Sequence, residues 1–225
     1  MRPKIRIVCA TRESRSTFAT TALGRSLGVY PKGVFDLRLF ETNTRGLSTV
    51  YNIAIAEAAH DPAILIFVHD DVFLLDFYWI DQVFHGLTRY DIIGLAGNKR
   101  RLPRQPSWLL NEKLQFDPQE YLTGVVGHGS GYPPDTLQFY GPPGQEVKLL
   151  DGLLLAAHSE KLHSRGLRFD EQFDFHFYDM DFCRQAERLG MRMGTWPMSV
   201  IHQSAGGYNE AWRAAYLKYL GKWQE

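Results

Sequence analysis

The sequence predicts an α/β sandwich in which helices cover a mostly parallel central sheet, with a small antiparallel extension. Short apolar runs alternate with helical patterns through residues 1–97, and such alternation is typical of β-α-β units, whose strands run in parallel. Residues 124–144 are instead rich in Gly, Pro and Tyr. This second observation predicts loops and short antiparallel strands around a site rather than a second domain.

The elements follow in order from the apolar spacing, because buried strands are short apolar runs and helices carry apolar residues three or four positions apart. Strands are predicted at residues 4–10, 34–40, 63–68, 92–96, 149–157, 192–196 and 199–202. Helices are predicted at residues 14–27, 47–59, 76–90, 180–189 and 208–223, and a short one begins at Ser159. Pro62 before the third strand and Gly28 near the end of the first helix support these limits.

The composition is that of an ordinary globular chain. Of the 225 residues, 44% are apolar and 22% are charged, which excludes a largely disordered protein. Lys and Arg together number 25, as do Asp and Glu, so the net charge is zero. General nucleic-acid binding needs a surplus of basic residues, and we therefore expect no nucleic-acid partner.

The two cysteines, Cys9 and Cys183, lie far apart and form no CxxC pair. Neither a disulfide framework nor a cysteine zinc site is expected, and reduced, buried cysteines fit the cytosol. The longest apolar stretches fall far short of the ~20 residues that span a bilayer. We therefore expect a cytoplasmic protein, with contact to the inner face of the membrane as an alternative.

Polar side chains follow the first three predicted strands. Ligands of such sheets bind outside the carboxyl ends of the strands, so these side chains predict a polar cleft. They are Thr11, Arg12 and Glu13 after the first strand, Glu41, Thr42 and Asn43 after the second, and His69, Asp70 and Asp71 after the third. Glu41 could accept a hydrogen bond from a nucleobase N–H, whereas Asn43 suits the turn before the next helix.

The adjacent carboxylates of Asp70 and Asp71 are the sharpest chemical feature. Like charges side by side are unfavourable unless a cation neutralises them, and carboxylate oxygens suit Mg²⁺ or Mn²⁺. The alternative is that one of them caps the turn into the next element. His202 follows the last predicted strand, and it could complete a Mn²⁺ site if the chain folds back towards Asp71.

A second pair of acids, Asp179 and Asp181, lies near the start of a predicted helix. Asp181 fits the first turn, where a carboxylate interacts well with the helix dipole. Asp179 follows an aromatic run and is placed to act as a general base. Near the end of the chain, an aromatic stripe from Trp212 to Trp223 predicts docking on the core, with interfacial membrane contact as the alternative. The basic residues between Lys99 and Arg104 fit a solvated loop or, alternatively, a phosphate contact.

Together these motifs resemble nucleotide-sugar glycosyltransferases of the GT-A fold, family-2-like, from about Ile5 to His202. The matching segments are the Thr11-Arg12-Glu13 turn, Glu41, the helix start from Asn43 to Asn52, the DxD-type His69-Asp70-Asp71, Asp151-Gly152, Gly166 to Phe173, Asp179 to Arg184, and His202. The run Phe67-Val68-His69-Asp70-Asp71-Val72 also resembles a bacterial subgroup. Two positions depart from the pattern: His69 replaces the first acid of the DxD, and Tyr178 replaces the usual Glu.

The resemblance implies a GT-A (Rossmann-like) fold and an inverting transfer from a nucleoside-diphosphate sugar, with a UDP-sugar first, to an acceptor hydroxyl. The acceptor could be a glycan, a lipid-linked molecule or a protein. The implied roles are nucleotide binding for Thr11, Arg12, Glu41, Asn43 and Asp70, a divalent Mn²⁺ or Mg²⁺ on Asp71 and His202, the catalytic base for Asp179, and the donor-sugar or acceptor pocket for Asp151 and Gly152.

We expect one domain over residues 1–225, made of a nucleotide-binding half (1–97), a half for the acceptor and catalysis (98–207) and a C-terminal helix (208–225). Two other functions stay open. A relative could bind nucleotide sugars without transferring them, and a metal-dependent phosphohydrolase would also use paired acids. A sugar nucleotidyltransferase is less consistent, because no glycine-rich phosphate loop follows the first strand.

Overall fold

The structure is a computed structural model that describes residues 3–204 and 207–225; Met1, Arg2, Ala205 and Gly206, which the expected domain range includes, lie outside the described residues. The strands are β1 (Ile5–Ala10), β2 (Asp36–Phe40), β3 (Ile64–Val68), β4 (Val72–Leu74), β5 (Ile92–Gly94), β6 (Ala96–Asn98), β7 (Leu122–His128), β8 (Thr136–Gly141), β9 (Glu146–Val147), β10 (Leu149–Leu150), β11 (Leu154–His158), β12 (Met193–Thr195) and β13 (Val200–His202). The helices are α1 (Arg15–Phe18), α2 (Ala22–Leu27), α3 (Leu47–Glu57), α4 (Trp79–Arg89), α5 (Ser159–Arg165), α6 (Tyr178–Arg188) and α7 (Glu210–Trp223).

A seven-stranded sheet forms the centre of the molecule, in the order β2-β1-β3-β11-β5-β12-β9. The β2-β1, β1-β3 and β5-β12 pairs are parallel, whereas β11 and β9 run antiparallel to their neighbours. The interior strand β3 is buried along its whole length, as its run of apolar residues predicts. α3 packs against β1 and α4 packs against β5 and β11, so the predicted α/β fold is confirmed.

A second sheet has the order β10-β6-β7-β13-β4, with β8 paired to β7. It is larger than the small antiparallel extension expected from the sequence. Two of its strands, β6 and β10, arise because two predicted strands divide between the sheets, and a third, β4, was not predicted. The 92–96 strand becomes β5 in the first sheet and β6 in the second, and the 149–157 strand becomes β10 in the second sheet and β11 in the first.

The helix predicted at residues 14–27 is two short helices. Thr21 has an extended backbone, and its side chain accepts a hydrogen bond from the Gly24 N–H, which starts α2 as a new helix. A Cβ at Gly24 would collide with the Phe18 carbonyl oxygen at the end of α1. The two helices can therefore approach this closely only because residue 24 is a glycine.

The last helix, α7, docks on the core through its aromatic stripe, as predicted. Tyr219 and Trp223 are buried, and the Phe177 ring contacts the rings of Trp212, Tyr216 and Tyr219. Across residues 3–204 and 207–225, no helix combines the length and apolar character needed to span a membrane.

Candidate active site

The loops that follow β1, β2 and β3 are tied together at one edge of the central sheet. The Thr11 hydroxyl donates a hydrogen bond to the Asp70 carboxylate. The Thr11 N–H donates to the Phe40 carbonyl oxygen at 3.0 Å, and the Asn43 N–H donates to the Thr11 carbonyl oxygen at 2.8 Å. Three of the five residues predicted to bind the nucleotide, Thr11, Asn43 and Asp70, therefore form one hydrogen-bonded group.

Glu41 and Arg12 lie at the same edge, and both are exposed. The Glu41 carboxylate accepts hydrogen bonds from the Arg15 N–H at 2.6 Å and from the Arg15 Nε at 3.3 Å. Asn43 closes its own turn, with its side chain bonded to the Arg45 backbone. The turn role expected for Asn43 is thus present, while the nucleobase contact of Glu41 and the role of Arg12 stay predictions.

A second cluster lies where β3 and β13 end. His69, Asp71 and His202 each offer one ligand atom, and these atoms lie within 4.8 Å of one another. β13 runs antiparallel to β4, which brings His202 opposite Val72, and its Nε2 lies 3.4 Å from the Asp71 Oδ2. The chain therefore folds back as the assignment of His202 required. His69, which the sequence presents as a departure from the DxD pattern, completes the triad.

The triad fits a divalent ion by its chemistry. The Asp71 Oδ1 is buried and has no hydrogen-bond partner in the part of the chain that the structure describes. A carboxylate with two imidazoles is a donor set that favours a transition-metal ion over Mg²⁺. We therefore conclude that His69, Asp71 and His202 could hold such an ion.

The electrostatics of the triad keep its carboxylate ionised. Burial acts to raise the pKa of Asp71, but the hydrogen bond and charge of His202 outweigh burial and lower it to about 2. Burial lowers the pKa of His69. For His202, burial acts to lower the pKa, and the adjacent Asp71 raises it overall. Metal binding needs an ionised carboxylate and neutral imidazoles; Asp71 and His69 favour these states, and an ion would displace the proton that Asp71 favours on His202.

Asp179 lies in the first turn of α6, close to the turn formed by Asp151 and Gly152. Its Oδ2 accepts the Gly152 N–H at 3.0 Å, and its Oδ1 accepts the Met180 N–H at 2.8 Å. Burial raises the pKa of Asp179 to about 7, and the nearby charge of Asp151 adds to the rise. This carboxyl group can therefore take up or release a proton near neutral pH.

Tyr178, which stands where the resembling family has Glu, connects the two clusters. Its hydroxyl donates to the Gly152 carbonyl oxygen at 2.7 Å and lies 2.9 Å from the His69 Nε2. A Cβ at Gly152 would collide with the Tyr178 side chain and would lie 2.9 Å from the Asp179 Cβ. Gly152 is thus required by this close approach, and Tyr178 fixes His69 relative to Asp179.

A cavity of about 940 Å³ opens above these residues. Its lining includes His69, Asp151, Gly152, Asp179 and His202. The walls come from residues 106–116, from β8 and from the start of α7. The predicted nucleotide-binding residues are not part of this lining.

His128 is a residue of this site that sequence reasoning missed. It lines the cavity, and its Nε2 is buried without a hydrogen-bond partner among the described residues. Parallel pairing of β7 with β13 sets His128 beside His202. No sequence motif marks His128, because the pairing joins strands that are more than seventy residues apart.

The basic loop between Lys99 and Arg104 is engaged with the protein itself. Arg100 pairs with the buried Asp117 at 2.6 Å, and Arg101 pairs with Glu187 at 3.3 Å. Arg100 and Arg101 are therefore held by the protein rather than free in solvent as a solvated loop would have them. A phosphate contact there stays a prediction.

Comparisons with known proteins agree with this fold. The model of the "Glycosyltransferase like family" matches residues 33–220, and no curated protein matches the chain in sequence. Among solved structures, GalNAc-T7 with UDP, GalNAc and Mn²⁺ is similar over 97% of this chain and 48% of that chain, with a TM-score of 0.58 and 11% identity. S. aureus TarS residues 1–349 with UDP-GlcNAc is similar over 91% of this chain and 60% of that chain, with a TM-score of 0.53 and 11% identity.

These two similarities confirm the predicted GT-A fold. At 11% sequence identity they are evidence for the fold alone. This chain spans only about half to three fifths of the two proteins it resembles.

Proposed function

This chain belongs to the glycosyltransferase-like family, and from that membership we propose that it transfers a sugar from a nucleoside-diphosphate sugar to an acceptor hydroxyl, with inversion at the anomeric carbon. One observation carries the proposal: Asp179, a carboxyl group with a pKa of about 7, lines the same cavity as His69 and His202, two of the three residues of the candidate metal triad. The proposed inverting transfer needs both a base for the acceptor and positive charge for the leaving diphosphate.

We assign the metal to Asp71 and His202, with His69 as the third ligand, and favour Mn²⁺ over Mg²⁺ because of the two imidazoles. When bound, the ion supplies positive charge that stabilises the departing nucleoside diphosphate. The buried Asp71 Oδ1 supports this assignment, because a buried acceptor without a partner is unfavourable. Tyr178 holds the His69 ring in place.

Asp179 is assigned as the base. As the acceptor oxygen bonds to the anomeric carbon and the bond from that carbon to the diphosphate oxygen breaks, Asp179 takes the proton of the acceptor hydroxyl. The Gly152 and Met180 N–H groups each occupy one lone pair of the carboxylate, which leaves further lone pairs for the acceptor. Asp151 and Gly152 line the pocket for the donor sugar or acceptor.

The nucleotide is assigned to the edge formed by the β1, β2 and β3 loops, with contacts from Thr11, Arg12, Glu41, Asn43 and Asp70. UDP is the first choice, and the UDP and UDP-GlcNAc in the names of the two similar structures support it. We further propose one domain over residues 1–225 and a cytoplasmic location, which two free, buried cysteines support.

The test of the donor site is a thermal-shift panel of UDP, GDP, CDP and TDP, each with and without Mn²⁺. A ligand that binds only the folded chain adds about 2.7 kcal/mol of stability at a hundredfold excess over its dissociation constant. We expect one nucleotide to shift the melting temperature in a Mn²⁺-dependent way, and Asp71→Asn to remove that dependence. No shift with any nucleotide at millimolar concentration would contradict the donor site.

The base is tested by turnover. Asp179→Asn should keep the nucleotide shift and lower kcat by about 10²–10⁴-fold, because a positioned base contributes about that much to the rate. The matched control is Asp174→Asn, an exposed carboxylate just before α6 that does not line the cavity. Wild-type turnover in Asp179→Asn would remove this residue from the mechanism.

A further inference from the structure

The outer wall of the cavity has an unusual composition for a site next to a diphosphate. Its lining includes the aromatic side chains of Trp108, Phe116, Tyr140, Phe175, Tyr208 and Trp212. Between them lie neutral hydrogen-bonding groups on Ser107, Gln115, Thr136 and Gln138. Aromatic faces interleaved with neutral donors and acceptors suit a ligand that has both apolar C–H faces and many hydroxyls.

The wall offers no fixed positive charge to an anionic acceptor. Among the described residues that line the cavity there is no Lys or Arg, while Asp151 and Asp179 are carboxyl groups. In the basic loop that precedes the wall segment, Arg100 pairs with Asp117 and Arg101 pairs with Glu187. The charge of an ion on the triad would be offset by the donor diphosphate, so an acceptor with a phosphate or carboxylate group would bring like charge towards Asp151 and Asp179 with no further cation to compensate, which is unfavourable.

Three of the aromatic rings are exposed at the mouth and come from three separate segments. Phe116 is 67% exposed, Phe175 is 56% exposed and Tyr208 is 65% exposed. Exposed apolar groups that gather at a cavity mark a binding surface more often than isolated ones do. The volume of about 940 Å³ is at the upper end of ordinary ligand pockets, which leaves room for an acceptor beside a donor sugar.

One buried polar atom points to a specific hydrogen bond in this space. His128 lies between the triad and the β8 wall, because β7 pairs with β13 on one side and with β8 on the other. Its Nε2 has no partner in the described part of the chain. A hydroxyl of a bound ligand can donate to or accept from this nitrogen, which removes the penalty of an unpaired buried group.

We propose that the acceptor is an uncharged carbohydrate, whose ring packs on the aromatic mouth and one of whose hydroxyls bonds to His128. The proposal rests on the transfer function proposed above and names its acceptor class. Lipid phosphates, acidic sugars and hydroxyl-bearing peptides are the competing acceptors.

The experiment measures acceptor-stimulated release of the nucleoside diphosphate by the full chain with Mn²⁺ and a UDP-hexose. The probes are the methyl glycosides of glucose, galactose and N-acetylglucosamine, each compared with methyl glucuronide, methyl glucoside 6-phosphate, a Ser/Thr peptide and a polyprenyl phosphate. We expect at least one neutral glycoside to stimulate release, with kcat/KM at least tenfold above every charged or peptide probe. Preference for a charged sugar, the peptide or the polyprenyl phosphate would overturn the inference, as would stimulation by none of the probes.

The wall is tested with exposed side chains that the fold does not need. Phe116→Ala and Tyr208→Ala should each raise the acceptor KM by about tenfold with little change in kcat or in the nucleotide thermal shift. Phe139→Ala is the matched control, because Phe139 is 57% exposed on β8 but does not line the cavity. His128→Ala should also raise the acceptor KM by about tenfold, the size expected for one lost hydrogen bond. Equal effects of the control and the wall variants would refute the assignment.

Failure of the inference and failure of the proposed function give different results. If no nucleotide stabilises the protein and no diphosphate is released, the transfer function itself is wrong and the inference fails with it. If nucleotides bind and diphosphate is released with a charged acceptor or a peptide, the function stands and the neutral-carbohydrate acceptor is wrong.

Discussion

Tyr178 connects residues that lie far apart in the sequence. Its hydroxyl joins the Gly152 carbonyl oxygen to the His69 imidazole, and its ring is buried between Tyr51 and Phe169. The usual Glu at this position would be a charged group in the same buried place. The tyrosine instead supplies a neutral hydrogen bond, which orients a candidate metal ligand without adding another negative charge beside Asp71 and Asp179.

We predict that Tyr178→Phe weakens both metal binding and the fold. Loss of the hydroxyl leaves two buried groups short of a partner and should lower the free energy of unfolding by about 1–3 kcal/mol. Partners of a metal ligand typically change metal affinity by about 10–100-fold, so Mn²⁺ titration followed by thermal shift should show a decrease of that size. Tyr132→Phe, at a ring that is 82% exposed, is the control and should change neither quantity.

Asp179 gives a pH-dependent prediction for stability. Its pKa is raised from 3.8 to about 7 in the folded chain, so the folded state binds more protons than the unfolded state between these values, and stability falls as the pH rises through this window. Since each pKa unit corresponds to about 1.4 kcal/mol, the advantage of Asp179→Asn over wild type should grow by about 2–3 kcal/mol from pH 5 to pH 8.

The measurement is urea unfolding of both proteins in metal-free buffer across that range. The Asp179→Asn variant has one hydrogen-bond acceptor fewer, which changes its free energy of unfolding by the same amount at every pH. The test is therefore how the difference in unfolding free energy between the two proteins grows with pH. A difference that stays constant with pH would mean that Asp179 does not have a raised pKa.

For single residues, the sequence predicted which chemical groups follow each strand. It predicted less well which of these groups lie next to one another in the fold. The pairing of Asp71 with His202 followed from a motif order, and the structure places the two residues together. In the sequence, His69 is a departure from the DxD motif. Its position in the triad with Asp71 and His202 was not predicted, because residue type alone does not show which side chains lie together. His128 was missed because only the register of β7 against β13 brings it to the site.

The helix α7 illustrates how one element stabilises both core and site. Lys222 pairs with Asp181 at 2.7 Å and with Asp170 at 2.6 Å, and the Trp223 Nε1 donates to Asp181 at 2.9 Å. Asp181 is fully buried, so these contacts satisfy a carboxylate that the sequence had assigned only to the dipole of α6. The other end of α7 contributes Trp212 to the cavity wall.

We predict that Lys222→Met lowers the free energy of unfolding by about 2–4 kcal/mol. Removing one member of an ion pair leaves Asp181 buried without its cation, and such losses reach about 3–5 kcal/mol when both partners are buried. The Lys222 side chain is partly exposed, so we expect a smaller loss of unfolding free energy than for a fully buried pair. Lys218→Met, on the exposed side of the same helix, is the control, and an equal loss in both variants would show that the ion pair contributes nothing specific.

Element boundaries were predicted least well where the chain changes sheet. An apolar run reports burial and not the partner strand, so the strands at 92–96 and 149–157 read as continuous although each divides between two sheets. The predicted helix at 14–27 kept its apolar face, but the break at Thr21 depends on a local side-chain cap that periodicity does not detect. Helix α3, in contrast, begins at Leu47 as predicted.

Across the whole molecule, both sheets combine strands from the two halves of the chain. The first sheet includes β1, β2 and β3 from the first half and β11 and β12 from the second, whereas the second sheet includes β4 and β6 with β7 and β13. Neither half can complete its sheet alone, which supports the proposal of a single domain.

We therefore predict a single unfolding transition. Far-ultraviolet circular dichroism and tryptophan fluorescence should give the same midpoint in urea, since four of the five tryptophans follow residue 97 while secondary structure is spread over both halves. Two separated midpoints would indicate that the halves unfold independently and would contradict the single domain.

The two buried thiols allow the rate of local opening to be measured separately around β1 and around α6. Cys9 lies in β1, two residues before Thr11, and Cys183 lies in α6, where its sulfur accepts the Leu150 N–H at 3.3 Å. Both sulfurs are buried, and burial also raises the pKa of both thiols. A thiol reagent therefore reacts only after local opening of the structure exposes the sulfur. The modification rate of each sulfur therefore reports local opening of the structure around it. A nucleotide bound beside Thr11 should slow modification of Cys9 more than modification of Cys183.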